Sequence, residues 1–121
     1  MDIVFSKEAE NDVAENAHYI AQSNPKVGAE VFDMVWQTCE LLASLPTMGT
    51  PIDSLFDTSE LGTEIQELLN AKLLLKDMRR FPVKKFNKLI IFYNIVNKEL
   101  HIERILHGRR DLPVIFSSML P

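Results

Sequence analysis

The chain is poor in cysteine and has no long apolar run, and each shortage excludes a class of protein. Cys39 is the only cysteine, so no internal disulfide can form and packing alone must stabilise the fold. The longest apolar runs, such as Leu89 to Tyr93, fall far short of the ~20 residues that span a bilayer. The N-terminus lacks the basic start and apolar stretch of a targeting signal. We therefore expect a cytoplasmic protein.

Metal-binding patterns are also missing. The three histidines, His18, His101 and His107, and the single cysteine do not stand at the spacing of metal ligands. We therefore expect neither a metal nor a cofactor.

What is present fits one globular domain. The chain has 121 residues, of which 46% are hydrophobic and 25% are charged. This length and composition are typical of a single soluble domain with one continuous core. We expect residues 1–121 to form that domain.

The net charge of −4 hides an uneven distribution. Residues 1–77 carry four basic and fourteen acidic side chains, whereas residues 78–121 carry nine basic and three acidic ones. The first part therefore has a net charge of −10 and the second +6. The basic part either offers a surface for an anionic partner or packs beside the acidic helices, and the sequence leaves both interpretations open.

The first half of the chain predicts a strand and two helices. Asp2 to Phe5 is short and rich in β-branched and aromatic residues, which favours a strand. Ser6 is a candidate N-cap for a helix that ends near Gln22. Asn24 and Pro25 then suit the cap and first position of a second helix, which runs to Pro46. We expect the two helices to form an antiparallel hairpin.

The middle of the chain is harder to interpret. Residues 46–51 form a loop rich in proline and glycine. Beyond it, a short amphipathic helix capped by Thr63 is the best interpretation. Leu73 to Leu75 either close that helix or open a strand.

The last third changes to a strand pattern. Met78 to Val83 predicts a strand at an edge or a bulge, because Pro82 lacks a backbone donor. Lys88 to Val96 is apolar almost throughout, as in a central strand covered on both faces. Asn97 and Lys98 suit a tight hairpin turn before a last strand, Glu99 to Leu106. The order is β-α-α-(α)-β-β-β, an α+β fold with the N-terminal strand and helix hairpin packed on a small antiparallel sheet.

Several segments of this pattern resemble the toxins of the RelE/ParE superfamily, which belong to type II toxin–antitoxin pairs, and the ParE-type members most closely. The segments are Arg80 to Val83, Leu89 to Tyr93, Ile102 to Pro113, and the turn from Leu45 to Gly49. The resemblance covers nearly the whole chain, and the run from Arg104 to Asp111 is its most specific part. About fifteen to twenty residues between Pro51 and Asp77 are extra, and we call residues 53–77 the extra segment.

Basic residues and one histidine form the candidate target-binding set. Guanidinium groups offer planar, bidentate donors for phosphate or carboxylate, and Gly108 would let the backbone turn or approach a partner closely. The set is Arg79, Arg80, Arg104, His107, Arg109 and Arg110. Any of these side chains could instead have a structural role, in particular by fixing the C-terminal tail.

The position of Arg104 in its strand gives a more specific expectation. Strand alternation places it on the face of Leu100, Ile102 and Leu106, so it is either paired below the surface or presented on an open face. One of Arg79 and Arg80 should share its face.

The resemblance implies two mechanisms. ParE-type toxins inhibit DNA gyrase by binding it and stabilising its cleaved-DNA state, whereas RelE-type toxins cleave mRNA on the ribosome. Cleavage needs a base and an acid, yet residues 114–121 contain neither tyrosine nor histidine, which leaves His107 as the candidate. We therefore rank non-enzymatic gyrase inhibition first, mRNA cleavage second, and a non-toxic binding module of the same fold third.

The resemblance also implies a cognate antitoxin as partner, and a role in plasmid stabilisation or stress response. Antitoxins of this family wrap a segment around the helices and a sheet edge of the toxin, which fits helix-in-groove and strand-addition binding. Asp2 to Phe5 and the strand with Pro82 are the candidate edges.

Overall fold

A computed structural model describes residues 1–51 and 78–107 of the chain. Seven elements follow one another, and all of those predicted in these ranges are confirmed. They are β1 (Asp2–Phe5), α1 (Lys7–Ser23), α2 (Pro25–Ser44), β2 (Thr50–Pro51), β3 (Arg79–Pro82), β4 (Leu89–Val96) and β5 (Glu99–His107). The two-residue strand β2 was not predicted. The extra segment, its Thr63-capped helix, and the tail from Gly108 to Pro121 lie outside the described residues.

The strands form one sheet in the order β1-β5-β4-β3-β2. The predicted α+β architecture is confirmed, and β3, β4 and β5 are antiparallel as expected. The N-terminal strand does more than pack on this sheet. It joins it beside β5 in parallel, with Ile3 opposite Leu100, so the sheet is mixed.

Polar side chains fix where both helices begin. Ser6 accepts a hydrogen bond through Oγ from the amide of Ala9 at 3.0 Å, and Asn24 accepts one through Oδ1 from the amide of Val27 at 3.2 Å. Each bond satisfies a donor that the first turn of a helix leaves without a partner. Both predicted caps are therefore confirmed.

The core lies between the helix hairpin and one face of the sheet. Its most deeply buried members include Val31, Cys39 and Leu42 of α2 and Ile91 and Tyr93 of β4. Within the described residues, no helix is both long enough and apolar enough to cross a membrane.

A glycine allows the two helices to approach closely. A Cβ atom added to Gly28 would lie 2.6 Å from Cβ of Ala21 and 2.8 Å from the carbonyl oxygen of Ala17. Glycine weakens a helix interior by roughly 0.5–1 kcal/mol, so its presence here reflects this contact between α1 and α2.

The hairpin between β4 and β5 has the predicted turn. Asn97 and Lys98 have φ angles of 51° and 64°. Positive φ at both central residues defines the turn whose twist matches that of two antiparallel strands. Four backbone positions of β5 beyond this turn pair with β1, and the pairing ends at Ile102.

A β-bulge in β5 corrects the predicted orientation of Arg104. Phe92 pairs with Arg104, but the next residue of β4, Tyr93, pairs with Ile102. Glu103 is therefore an extra residue, and the alternation of side chains reverses across it. Ile105 rather than Arg104 continues the core row of Leu100 and Ile102. The prediction that Arg104 shares a face with those two residues is wrong.

The two predicted sheet edges have different outcomes. β1 forms one end of the sheet, as expected. β2 covers β3 at Arg79 and Arg80, so its second half, Phe81 and Pro82, has no neighbour on that side among the described strands. This half contains the proline, which has no backbone N–H to donate.

The single cysteine should be chemically inert in the native protein. Cys39 is completely buried, and burial raises the pKa of its thiol to about 12. Because the thiolate is the reactive form, we expect Ellman's reagent at pH 8 to modify Cys39 only after unfolding in denaturant. Equal rates of modification with and without denaturant would contradict this burial.

Candidate functional site

Two of the predicted basic residues face the same side of the sheet. In the strand register, Arg80 of β3 lies opposite Phe92 of β4, and Phe92 lies opposite Arg104 of β5. Residues directly opposite each other on antiparallel strands share a face. Arg80, Phe92 and Arg104 therefore form one row across three strands, on the sheet face opposite the helix hairpin, where Phe92 itself is buried. We call it the arginine row. The expectation that one of Arg79 and Arg80 joins Arg104 is confirmed.

Arg104 is held in a fixed position by an acidic residue of α1. Its Nε donates to Oδ2 of Asp12 at 2.7 Å, and its Nη2 donates to Oδ1 at 3.0 Å. The side chain of Arg104 is 19% exposed and that of Asp12 is 8% exposed. The hydrogen bonds that Arg104 donates to Asp12 raise the pKa of the Arg104 guanidinium above its usual value, so the guanidinium stays charged at any physiological pH. Of the two expectations for Arg104, pairing below the surface is the one observed.

Asp12 also forms a hydrogen bond with the β5 backbone, as a neighbouring strand would. β1 pairs with β5 only as far as Ile102, so no described strand pairs with the β5 backbone beyond it on that side. Ser6 donates through its amide to the carbonyl of Ile102 at 3.0 Å and through its hydroxyl to that of Glu103 at 2.7 Å. Asp12 Oδ2 accepts the amide hydrogen of Ile105 at 3.0 Å. Side chains at the start of α1 thus form hydrogen bonds with backbone groups at the edge of β5, and they hold Arg104 in place at the same point.

Arg79 lies on the other face and has a different role. It pairs in register with Tyr93, a member of the core. Its Nη1 donates to the carbonyl oxygen of Gly49 at 2.7 Å and, more weakly, to that of Thr47 at 3.4 Å. These bonds hold the loop that leads into β2. Arg79 is therefore a structural residue, and the structure does not bring it into the arginine row.

Tyr93 holds the same loop from below. Its hydroxyl donates to the carbonyl oxygen of Pro46 at 2.8 Å and accepts from the amide of Gly49 at 2.9 Å. Burial is the main cause of the raised pKa of this phenol. A phenol with a raised pKa and both hydrogen-bonding roles occupied is poorly suited to proton transfer.

The remaining predicted residues lie at or beyond the end of β5. His107 is the last residue of that strand, half-buried and opposite the core residue Leu89. The register therefore separates it from the arginine row. Arg109 and Arg110 lie outside the described residues, so their proposed part in the site stays a prediction.

The described residues thus offer two cations on one surface, and the two differ in availability. Arg104 is committed to Asp12, whereas the half-buried side chain of Arg80 makes no hydrogen bond or ion pair with residues 1–51 or 78–107. A positioned guanidinium can bind phosphate or carboxylate in a bidentate manner. This arrangement is suited to binding an anionic group on a partner.

Asp12 is an important residue that sequence reasoning missed. It occupies the buried stripe of α1 together with Ala9, Val13, Asn16 and Ala17. An acidic residue at a core-facing position of an amphipathic helix requires a buried partner, and that signal was present in the sequence. The identity of the partner depends on the bulge, which the sequence did not reveal.

The fold defined by these elements is shared with a solved toxin–antitoxin structure. A chain of the structure titled "Chromosomal ParDE TA system from P. aeruginosa" matches with a TM-score of 0.58 and 15% sequence identity. The match covers 88% of this chain and 95% of that one. At this identity the likeness establishes the fold.

The family follows from the sequence itself. The family model described as the ParE toxin of the type II toxin–antitoxin system, parDE, matches residues 3–112 of this chain. The chain therefore belongs to the ParE toxin family of type II toxin–antitoxin systems. No curated protein matches the chain in sequence.

Proposed function

We propose that this protein inhibits DNA gyrase by binding to it, and that a cognate antitoxin relieves the inhibition. Membership of the ParE toxin family supports the general role. The specific mechanism is supported by the arginine row, where Arg104 is positioned by Asp12 and the Arg80 side chain has no bond to residues 1–51 or 78–107. A binding surface of this kind needs no cofactor. We place its action in the cytoplasm, where gyrase works.

One observation carries the preference for binding over mRNA cleavage. Tyr93 is fully buried, and its hydroxyl is committed to Pro46 and Gly49. Tyr19 lies on α1, outside the sheet. Of the side chains singled out in the sequence, this leaves His107 as the candidate base or acid for a ribonuclease, and the register separates it from the two cations of the row.

The proposal predicts a slower gyrase reaction. Purified protein added to gyrase, relaxed plasmid and ATP should reduce the rate of supercoiling, and equimolar antitoxin should restore it. A parallel reaction with translating ribosomes and a defined mRNA should give no cleavage products. Cleaved mRNA beside normal supercoiling would favour the ribonuclease instead. If neither reaction responds but the antitoxin still binds, the chain is a binding module without toxicity.

The contribution of the arginine row can be tested with a matched pair of variants. Arg80→Gln removes the cation of the row that has no side-chain partner among the described residues, and Lys88→Gln removes an exposed cation that lies outside the row. Because positioned arginines are typical centres of binding energy, we expect Arg80→Gln to raise the half-inhibitory concentration roughly tenfold. Lys88→Gln should change it less than about twofold. Equal effects of the two variants would exclude a specific role for the row.

A further inference from the structure

The arginine row has a hydroxyl group beside it on β2. Thr50 of β2 lies opposite Arg80 of β3 in the antiparallel register. The two side chains therefore share the sheet face of the row, with their Cβ atoms about 4.5–5.5 Å apart. Thr50 is exposed and Arg80 is half-buried, and neither side chain makes a hydrogen bond or ion pair within residues 1–51 and 78–107. A hydroxyl and a guanidinium thus stand side by side with donors to offer.

The backbone that carries Thr50 is fixed immediately before that residue. The amide of Gly49 donates to the hydroxyl of Tyr93 at 2.9 Å, and the carbonyl oxygen of Gly49 accepts from Nη1 of Arg79 at 2.7 Å. Because Tyr93 is fully buried, these bonds tie the loop to the core. Groups that are held in place before a ligand arrives lose less conformational entropy on binding. The bonds at Gly49 therefore preorganise Thr50 beside Arg80.

The charges along the row favour an anion at its β2–β3 end. The described strands β2, β3 and β4 contain no acidic residue. Arg104, at the other end, is paired with Asp12 and also lies in the field of Glu8 and Glu15. Strands are about 4.8 Å apart, so β3 and β5 are separated by roughly 10 Å, which exceeds the Debye length of about 8 Å at physiological salt. An anion at Arg80 therefore meets less repulsion than one at Arg104.

The donors at this end of the row suit a phosphate group. A guanidinium can donate two parallel N–H bonds to two oxygens of one phosphate, and a threonine hydroxyl can donate a further bond. In complexes with DNA, arginine and threonine side chains contact phosphate oxygens and so fix the position of a protein without reading the base sequence. The target named in the proposed function is an enzyme that holds DNA, so backbone phosphates are present where the protein would bind.

We propose that Thr50 and Arg80 form a binding site for a backbone phosphate of the DNA held by gyrase. The inference rests on the proposed function for the source of the phosphate. It makes the target a complex of gyrase with DNA, to which the protein should bind more tightly than to gyrase alone.

The site itself can be tested without gyrase. Inorganic phosphate is the probe, added to ¹⁵N-labelled protein at an ionic strength kept constant with chloride. In NMR spectra it should shift the signals of the Thr50 amide and the Arg80 Nε–H group along one saturable curve. If these two signals do not move, or move no more than that of the exposed Lys88 amide, the proposed site is wrong.

Matched variants show whether the two side chains act as donors. Thr50→Val removes the hydroxyl but keeps the β-branched shape that strands favour, and it should raise the midpoint of the phosphate titration roughly threefold. Thr50→Ser retains the hydroxyl and should stay within about twofold of the unmodified protein. Arg80→Gln should raise the midpoint at least about tenfold, whereas Lys88→Gln should change it less than about twofold. Equal effects within either pair would overturn the site.

Binding to gyrase with and without DNA then identifies the source of the anion. Thr50→Val should weaken binding to the gyrase–DNA complex roughly threefold and leave binding to DNA-free gyrase unchanged. Equal weakening in both cases would overturn DNA as the source and assign the site to a carboxylate of gyrase. If the unmodified protein neither binds nor inhibits gyrase, the proposed function fails together with the assignment to gyrase-held DNA, while the phosphate titration still decides whether the site exists.

Discussion

Replacing Asp12 by alanine should lower the free energy of unfolding by about 3 kcal/mol. The carboxylate accepts two hydrogen bonds from Arg104 and one from the amide of Ile105. Its removal would leave a largely buried guanidinium and a buried amide without their partner, and unsatisfied groups of this kind are costly. Urea unfolding followed by circular dichroism measures the loss.

Two comparisons make this result specific. Glu40→Ala removes an exposed acidic residue from the other helix and should change the stability by less than about 0.5 kcal/mol. The double variant of Asp12 and Arg104 to alanine should lose less than the sum of the two single losses, because the residues are in direct contact. A loss below about 1 kcal/mol for Asp12→Ala would show that the pair does not hold α1 to the edge of β5.

Replacing Gly49 by alanine should also cost about 3 kcal/mol. The added Cβ would lie 2.8 Å from Cε1 and Cζ of the Tyr93 ring, and this ring is fully buried. Neither side can move easily, because the hydroxyl of Tyr93 bonds to Pro46 and Gly49 while Arg79 bonds to the carbonyl of Gly49. The penalty is steric, since Gly49 has no positive φ.

The same unfolding measurement tests this prediction, with Thr50→Ala as its control. Thr50 is the next residue along the chain and is exposed, so its side chain can be shortened at little cost. If Gly49→Ala is as stable as Thr50→Ala, then the loop does not require its close contact with Tyr93.

Local signals made much of the fold predictable. Ser6 and Asn24 were identifiable as helix caps because their side chains satisfy donors within three residues of themselves. The turn at Asn97 and Lys98 was identifiable because asparagine tolerates the left-handed backbone that this hairpin requires. In each case the residues that determine the structure lie beside one another in the sequence.

The missed features depend on contacts between distant residues. The bulge at Glu103 reverses the alternation of β5, and no residue type near it announces the change. Arg79 and Arg80 looked equivalent in the sequence, but the register turns Arg79 toward Tyr93 and the Gly49 loop and leaves Arg80 in the row with Phe92. Strand β2 contains Pro51 and only two residues, so its pairing with β3 depends on the fixed loop rather than on strand propensity.

The candidate site was predictable in composition and not in arrangement. The basic character of the last third follows directly from the sequence, and two of its arginines do share a face. Which of the two arginines has a structural role depends on Asp12, which precedes Arg104 by more than ninety residues in the sequence.

Inhibition of gyrase can be observed directly as gyrase trapped on cleaved DNA. Plasmid, gyrase, ATP and the purified protein should be stopped with detergent, digested with protease and separated on an agarose gel. We expect linear plasmid that increases with the protein concentration and disappears when the antitoxin is added first. Plasmid that stays fully supercoiled at a large excess of the protein would contradict it.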